Sequence, residues 1–135
     1  LKARITSVKE INKNDSVSYG RTYIARENKK IASVSIGYAD GIPRSLSNKN
    51  MQVKINQSYA NVIGRICMDQ LLIDISDIPN VKVSDIITII GKDKNITAEQ
   101  VADKAGTITN ELLCRLGGRL EKVVVWYFLM NIWKI

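Results

Sequence analysis

The most constraining feature of this sequence is a series of short Ile- and Val-rich runs over its first 92 residues, separated by turn-forming residues. The runs recur about every ten residues, a spacing typical of all-β barrels and sandwiches. Several runs alternate apolar and polar side chains, as strands with one buried face do. The sequence therefore predicts a mainly β, barrel-like fold. The predicted strands cover residues 5–11, 17–25, 31–36, 51–55, 62–67, 71–75 and 86–90.

The hydrophobic period changes after residue 96, which predicts two short helices near the C-terminus. Thr97 and Gln100 form a capping-box pattern and Gly106 suits a helix C-cap, so the first helix covers residues 98–105. The second covers residues 110–116 and is closed by Gly117 and Gly118.

The C-terminal tail, VVVWYFLMNIWKI, is strongly apolar but too short to cross a membrane, and it has more than one interpretation. Its first three residues, 123–125, are predicted to form a last strand on the barrel. Residues 126–135 are either an apolar extension or an exposed patch that seeks a partner domain.

Length and composition indicate one domain over residues 1–135, because 45% hydrophobic residues suffice for a single core. No apolar run approaches the roughly 20 residues that a membrane span needs, and the opening LKARITSVKE lacks the features of a signal peptide. Cys67 and Cys114 lie far apart and histidine is absent, so we expect no metal site and no Ser-His or Cys-His nucleophile. A reducing, cytoplasmic setting is the favoured interpretation.

The formal charge of +7 could attract nucleic acid. The lysines and arginines are scattered, however, with no basic block and no interleaved aromatic residues. We therefore expect no nucleic-acid partner.

Three stretches place polar or reactive side chains within apolar strand contexts: SVSYG, IGYADG and GRICMDQ. Tyr19 and Tyr38 are either half-buried aromatics at strand ends or functional phenols. Asp69 either sits at a β-bulge, accepting backbone N–H groups, or faces a pocket. A tyrosine base demands a neighbouring cation or donor, since a phenol has a pKa near 10.

Taken in order, SVSYGRTY, VSIGYADGIPRSLSN, VIGRICMDQLLIDIS, VSDIITIIG and ITAEQVADKAGTITNELLCRLGGRL resemble the C-terminal domain of the alanine racemase family. These are pyridoxal-phosphate enzymes of fold type III, and the resemblance covers about residues 5–122. It implies a head-to-tail homodimer in which an N-terminal (β/α)₈ barrel holds pyridoxal 5'-phosphate on a lysine. The C-terminal domain of one subunit then completes the active site in the partner's barrel.

The resemblance also implies roles for individual residues. Inversion needs two acid/base groups on opposite faces of the substrate α-carbon, and Tyr19 matches the family's catalytic tyrosine on the L-substrate side. An arginine of the absent barrel would lower the pKa of that phenol. Tyr38 matches a tyrosine that lines the substrate route and the cofactor. Met68 matches the residue whose backbone meets the substrate carboxylate, and Asp69 follows it.

Asn110 departs from the usual alanine racemase pattern, which has a tyrosine near the cofactor phosphate and the substrate. RLGGRLEKVV likewise replaces an Arg-x-Pro-Arg ending. Both departures resemble the membrane-linked serine/alanine racemases of vancomycin-resistance clusters. A carboxamide at Asn110 offers a donor and an acceptor to a serine hydroxyl. The alternative for Asn110 is a plain helix N-cap.

The resemblance leads us to expect the C-terminal domain of a racemase that interconverts L- and D-serine or alanine for the cell wall. We expect these 135 residues to be inactive without the barrel, and the parent protein to be membrane-anchored with this domain in the cytoplasm. The rival hypothesis is a dimerisation or binding module with no chemistry of its own.

Overall fold

The structure is a computed structural model, which describes residues 1–124. Eight strands come first and two helices follow. Three short 3₁₀ turns lie at Tyr19–Arg21, Tyr38–Asp40 and Arg44–Leu46. The strands are β1 (Lys2–Ile11), β2 (Ser16–Val17), β3 (Tyr23–Ile24), β4 (Lys29–Val34), β5 (Gln52–Ile55), β6 (Ser58–Ile63), β7 (Leu71–Asp74) and β8 (Ile86–Thr88). The helices are α1 (Ala98–Ala105) and α2 (Thr109–Arg115).

Six strands form a closed antiparallel barrel in the order β1-β4-β7-β6-β5-β8, while β2 and β3 pair as a separate two-stranded ribbon. Closure leaves no strand of the barrel with an unpaired edge. The predicted fold, mainly β and barrel-like with two short helices near the C-terminus, is confirmed.

The core follows from strand alternation. In β5 the side chains of Val53 and Ile55 point inward and are buried, and in β7 Leu71 and Ile73 do the same. Leu112 of α2 joins this core, so the helices cover the barrel. Burial of each such aliphatic side chain stabilises the fold by roughly 1.5–3 kcal/mol.

A second, smaller cluster fixes the ribbon to the barrel. Val17 of β2 packs with Ile11, Ala25, Ile31 and Ile63. The ribbon is therefore tied to the barrel through its apolar side chains, and the turn at its tip has a fixed base.

The helix signals in the sequence are largely correct. The Gln100 N–H donates to Thr97 Oγ1 at 3.2 Å, and Gly106 caps α1 in the left-handed conformation with φ of 77°. The predicted closure of the second helix by two glycines is wrong, because α2 ends at Arg115 with Leu116 as its C-cap.

The single strand predicted over 17–25 is wrong. Ser18, Gly20 and Arg21 all have positive φ, which a strand does not accommodate, and the chain turns there. The strand predicted over 62–67 starts earlier, at Ser58, and ends at Ile63, because Gly64 takes φ of 68°.

The last strand predicted over 123–125 is also wrong for the part that the structure describes. Val123 and Val124 are exposed and lie outside any strand. The closed barrel offers them no free edge to pair with. Residue 125 and the predictions for residues 126–135 lie outside the described residues.

Candidate functional site

Tyr19 lies at the tip of the β2–β3 ribbon, in the 3₁₀ turn Tyr19–Arg21 and not on a strand. Its side chain is 71% exposed, so the interpretation as a half-buried strand aromatic is wrong. Among residues 1–124, no group hydrogen-bonds the Tyr19 hydroxyl. The phenol is therefore presented outward by a loop whose base is packed on the barrel.

The IGYADG stretch forms a second turn next to the barrel. The Gly37 N–H donates to Asp40 Oδ2 at 2.9 Å, and Gly41 ends the turn with φ of 104°. Asp40 is buried, while Tyr38 is 42% exposed. This turn therefore buries the Asp40 carboxylate and exposes the Tyr38 phenol.

The GRICMDQ stretch forms the loop between β6 and β7, which we call the 64–70 loop. It is bonded directly to the IGYADG turn: the Tyr38 N–H donates to the Cys67 carbonyl and the Ala39 N–H to the Met68 carbonyl, each at 3.0 Å. A Cβ on Gly37 would lie 2.2 Å from the Cys67 carbonyl oxygen. The two stretches therefore pack backbone to backbone, which explains the glycine at position 37.

Tyr19, Met68 and Asp69 line one open cleft, which we call the Tyr19 cleft. Thr6, at the irregular register of β1 against β4, lies on its wall. The complete lining is Thr6, Tyr19, Ser35, Cys67, Met68, Asp69 and Gln70. Three of the five residues singled out from the sequence are thus brought together.

The other two lie elsewhere. Tyr38 lines a neighbouring cleft with Arg44 and Arg115. Asn110 is exposed on the first turn of α2 and lines neither cleft. Its interpretation as an N-cap is wrong, because Ile108 holds that position.

Asp69 lies in the 64–70 loop, outside any strand, so the β-bulge interpretation is wrong as well. Its Oδ1 accepts a hydrogen bond from Arg119 Nη2 at 2.7 Å, and Arg119 Nε lies 3.3 Å from Asp40 Oδ1. The hydrogen bond to Asp69, together with the charge of Asp40, raises the pKa of Arg119. One arginine thus joins both loops of the site.

Arg119 was not identified as a site residue from the sequence. The only signal was an arginine three residues after Leu116 in RLGGRL, in a chain with two acidic residues in apolar motifs. Its two carboxylate partners lie 50 and 79 positions earlier in the chain, a pairing that only the folded chain creates.

The Tyr19 cleft suits one wall of a pyridoxal-phosphate site and not its cofactor-binding part. Its lining supplies a phenol, hydroxyls and backbone groups but no lysine, although Lys9 lines the adjoining cleft, which Tyr19 also lines. In residues 1–124, no group of three or more His, Cys, Asp or Glu side chains is placed to bind a metal. None of the helices within this part of the chain is long and apolar enough to cross a membrane.

The sequence matches the family described as "Alanine racemase, C-terminal domain" over residues 1–124. An amino-acid racemase of Enterococcus faecalis is 49% identical over 123 residues, which are 90% of this chain and 17% of that protein. Alanine racemase 2 of Caldanaerobacter subterraneus is 41% identical over 128 residues, 93% of this chain and 33% of that protein.

Solved structures agree with this match. Alanine racemase of Clostridium difficile 630 in complex with cycloserine superimposes with a TM-score of 0.83 at 38% identity, covering 88% of this chain and 31% of that one. Alanine racemase of Bartonella henselae with covalently bound pyridoxal phosphate gives 0.86 at 30% identity, covering 92% and 34%. The chain thus spans about a third or less of the length of these relatives. On sequence and fold together, it belongs to the alanine racemase family, whose C-terminal domain it matches.

Proposed function

We propose that this chain is the C-terminal domain of a pyridoxal-phosphate amino-acid racemase, and that it supplies Tyr19 as an acid/base group to the active site of a partner subunit. The observation that carries the proposal is the Tyr19 cleft. It sets an exposed phenol beside Met68 and Asp69 on a rigid barrel. The names of the relatives support racemisation of an amino acid as the reaction.

Two features of the chain fit this role. The Tyr19 hydroxyl has no hydrogen-bond partner among residues 1–124, so it is free to meet a proton on a substrate. The Met68 N–H likewise donates to no group in this part of the chain and suits an anionic carboxylate. The cofactor, bound by a lysine of the barrel domain, would supply an electron sink that acidifies the substrate α-hydrogen.

The remaining assignments complete the proposal. Tyr38 lines the approach beside the Tyr19 cleft and contributes to the substrate and cofactor surroundings. Asn110 contributes to a cofactor- and substrate-facing surface on α2, and its amide favours serine as well as alanine. The parent protein is a membrane-anchored homodimer with this domain in the cytoplasm, belonging to the vancomycin-resistance type, and the domain alone is inactive.

The test grafts residues 1–124 onto the E. faecalis amino-acid racemase in place of the matching segment. Tyr19→Phe should slow α-hydrogen exchange from the L-enantiomer by about 10²- to 10⁴-fold, the usual contribution of a general acid or base. Tyr23→Phe is the matched control, because Tyr23 lies on the same ribbon and packs against the barrel. If Tyr19→Phe exchanged the L-enantiomer at the parent rate, the acid/base role would be wrong.

The role of Asn110 is tested in the same graft. Asn110→Tyr should shift the ratio of kcat/KM for serine and alanine toward alanine by about 10-fold, since a lost hydrogen bond to the serine hydroxyl is worth that much. An unchanged ratio would remove Asn110 from substrate discrimination.

The rival function, a dimerisation or binding module without chemistry, is favoured only by the lack of a lysine in the Tyr19 cleft. It predicts that the parent graft assembles normally. It also predicts that Tyr19→Phe changes the assembly of the graft and leaves α-hydrogen exchange unchanged. Sedimentation of the graft beside the exchange measurement separates the two functions.

A further inference from the structure

The residue that precedes Tyr19 has an unusual backbone. Ser18 has φ of 66° and ψ of 176°, a region that glycine occupies and that side chains avoid. A serine persists in such a conformation only where its surroundings hold it. Tyr19 is therefore presented by a backbone that the ribbon alone would not adopt.

The 64–70 loop provides the contacts that hold Ser18. Ser18 Oγ donates a hydrogen bond of 2.6 Å to the Arg65 carbonyl. A Cβ on Gly64 would lie 2.7 Å from the Ser18 Cβ, so the Ser18 side chain fits only because position 64 carries no side chain. Both contacts come from the loop that carries Met68.

The residue after Tyr19 lies close to the same loop. The Arg65 guanidinium lies over Gly20, where a Cβ would come within 2.8 Å of Arg65 Nη1. The residues on each side of Tyr19 thus lie against residues 64 and 65. The bond that connects the turn of Tyr19 to the loop of Met68 is the one from Ser18 Oγ to the Arg65 carbonyl.

We propose that Ser18 is a positioning residue for Tyr19: its hydroxyl bond to the Arg65 carbonyl, seated in the space left by Gly64, sets the position of the phenol relative to Met68, whose backbone N–H is proposed to hold the substrate carboxylate. The inference rests on the proposed acid/base role of Tyr19. Proton transfer needs hydrogen-bond contact, and a displacement of about 1 Å can lower a rate by about 10²-fold.

The test uses the graft on the E. faecalis racemase and measures α-hydrogen exchange in deuterated solvent, separately from the L- and the D-enantiomer. Ser18→Ala keeps the Cβ and removes the hydroxyl, and should slow exchange from the L-enantiomer by about 10-fold while the D-enantiomer exchanges at the parent rate. Ser16→Ala is the matched control, because the Ser16 hydroxyl accepts its hydrogen bond from Arg21 Nε, within the ribbon, and not from the 64–70 loop. An equal loss on both sides, or no loss, would overturn the inference.

A second set of variants tests the steric part of the proposal, the fit of the Ser18 side chain against Gly64. Gly64→Ala should slow L-side exchange more in the parent than in a Ser18→Gly background, because its new Cβ meets the Ser18 Cβ only in the parent, while the strain of its positive φ is common to both. An equal slowing in the two backgrounds would contradict the proposed fit. Thermal denaturation shows whether each variant folds. If Ser18→Ala does not fold, the effect of Gly64→Ala in the two backgrounds decides the question.

Tyr19→Phe measured alongside separates this inference from the proposed function. If Tyr19→Phe slows L-side exchange and Ser18→Ala does not, only the positioning role fails. If Tyr19→Phe itself leaves L-side exchange unchanged, the acid/base role fails and the positioning role fails with it.

Discussion

Arg119 Nη2 lies 2.7 Å from Asp69 Oδ1, joining the segment after α2 to the rim of the Tyr19 cleft. The same guanidinium pairs with Asp40, which is buried and caps the turn that carries Tyr38. A single side chain from the C-terminal end therefore connects the two loops that form the candidate site.

Replacing that arginine should loosen both loops. Arg119→Met leaves the buried Asp40 carboxylate without its ion-pair partner, so both Tm and racemase activity of the graft should fall, activity on the order of 10-fold. Arg119→Lys should recover only part, because an ammonium cannot reproduce the fork that reaches two carboxylates.

Arg26→Met is the matched control, since Arg26 is exposed just after β3 and lines neither the Tyr19 cleft nor the cleft of Tyr38. Equal losses of activity for Arg26→Met and Arg119→Met would show that the connection between the loops has no particular importance.

Gly37 should tolerate no side chain. Its φ of −151° is ordinary extended backbone, so the obstacle is steric: an added Cβ would lie 2.2 Å from the Cys67 and 2.4 Å from the Met68 carbonyl oxygen. Gly37→Ala should cost about 1–3 kcal/mol of unfolding free energy, as overpacking does, measured by urea denaturation. Gly118→Ala, where a Cβ meets nothing within 4 Å, should leave the unfolding free energy almost unchanged.

Acid should weaken the contact of Asp93 with Lys54 and Tyr59. Hydrogen bonds from the Lys54 ammonium and then the Tyr59 hydroxyl hold the pKa of Asp93 below its usual value. A depressed folded-state pKa stabilises the fold above the unfolded pKa of about 3.9, and that stability is lost as the pH falls through the folded-state value.

The difference in Tm between pH 6 and pH 3 should therefore be smaller for Asp93→Asn than for the parent. Asp103→Asn, an exposed position on α1, is the control and should keep the parent's difference. A parent-like difference in Asp93→Asn would mean that this carboxylate carries none of the acid sensitivity.

The N-cap of α1 should matter for stability. Thr97→Ala removes the acceptor for the Gln100 N–H and should cost about 1 kcal/mol, whereas Thr97→Ser keeps an acceptor and should cost little. Guanidinium denaturation followed by circular dichroism measures both, and equal midpoints for the two variants would contradict the capping role.

Local signals predicted most of the framework. Strands such as β7 have alternating aliphatic residues, and α1 has a cap at each end, so their sequences indicate their conformation directly. The prediction failed where a glycine or a hydrogen bond from a distant loop reversed the chain, as at residues 18–21 and at Gly64. An alternating apolar pattern cannot reveal such a turn, since the residues that cause the turn lie elsewhere in the sequence.

The sequence by itself indicated a mainly β, barrel-like fold, the two helices and the family, because these depend on apolar periodicity, caps and ordered motifs, whereas the closure of the barrel came from the structure. Only the tertiary structure decided that Tyr19, Met68 and Asp69 share one cleft, that Asn110 lies apart from it, and that Arg119 joins Asp40 to Asp69. These relationships arise between residues far apart in the chain, which the packing of the ribbon, the loops and the C-terminal segment against the barrel brings together.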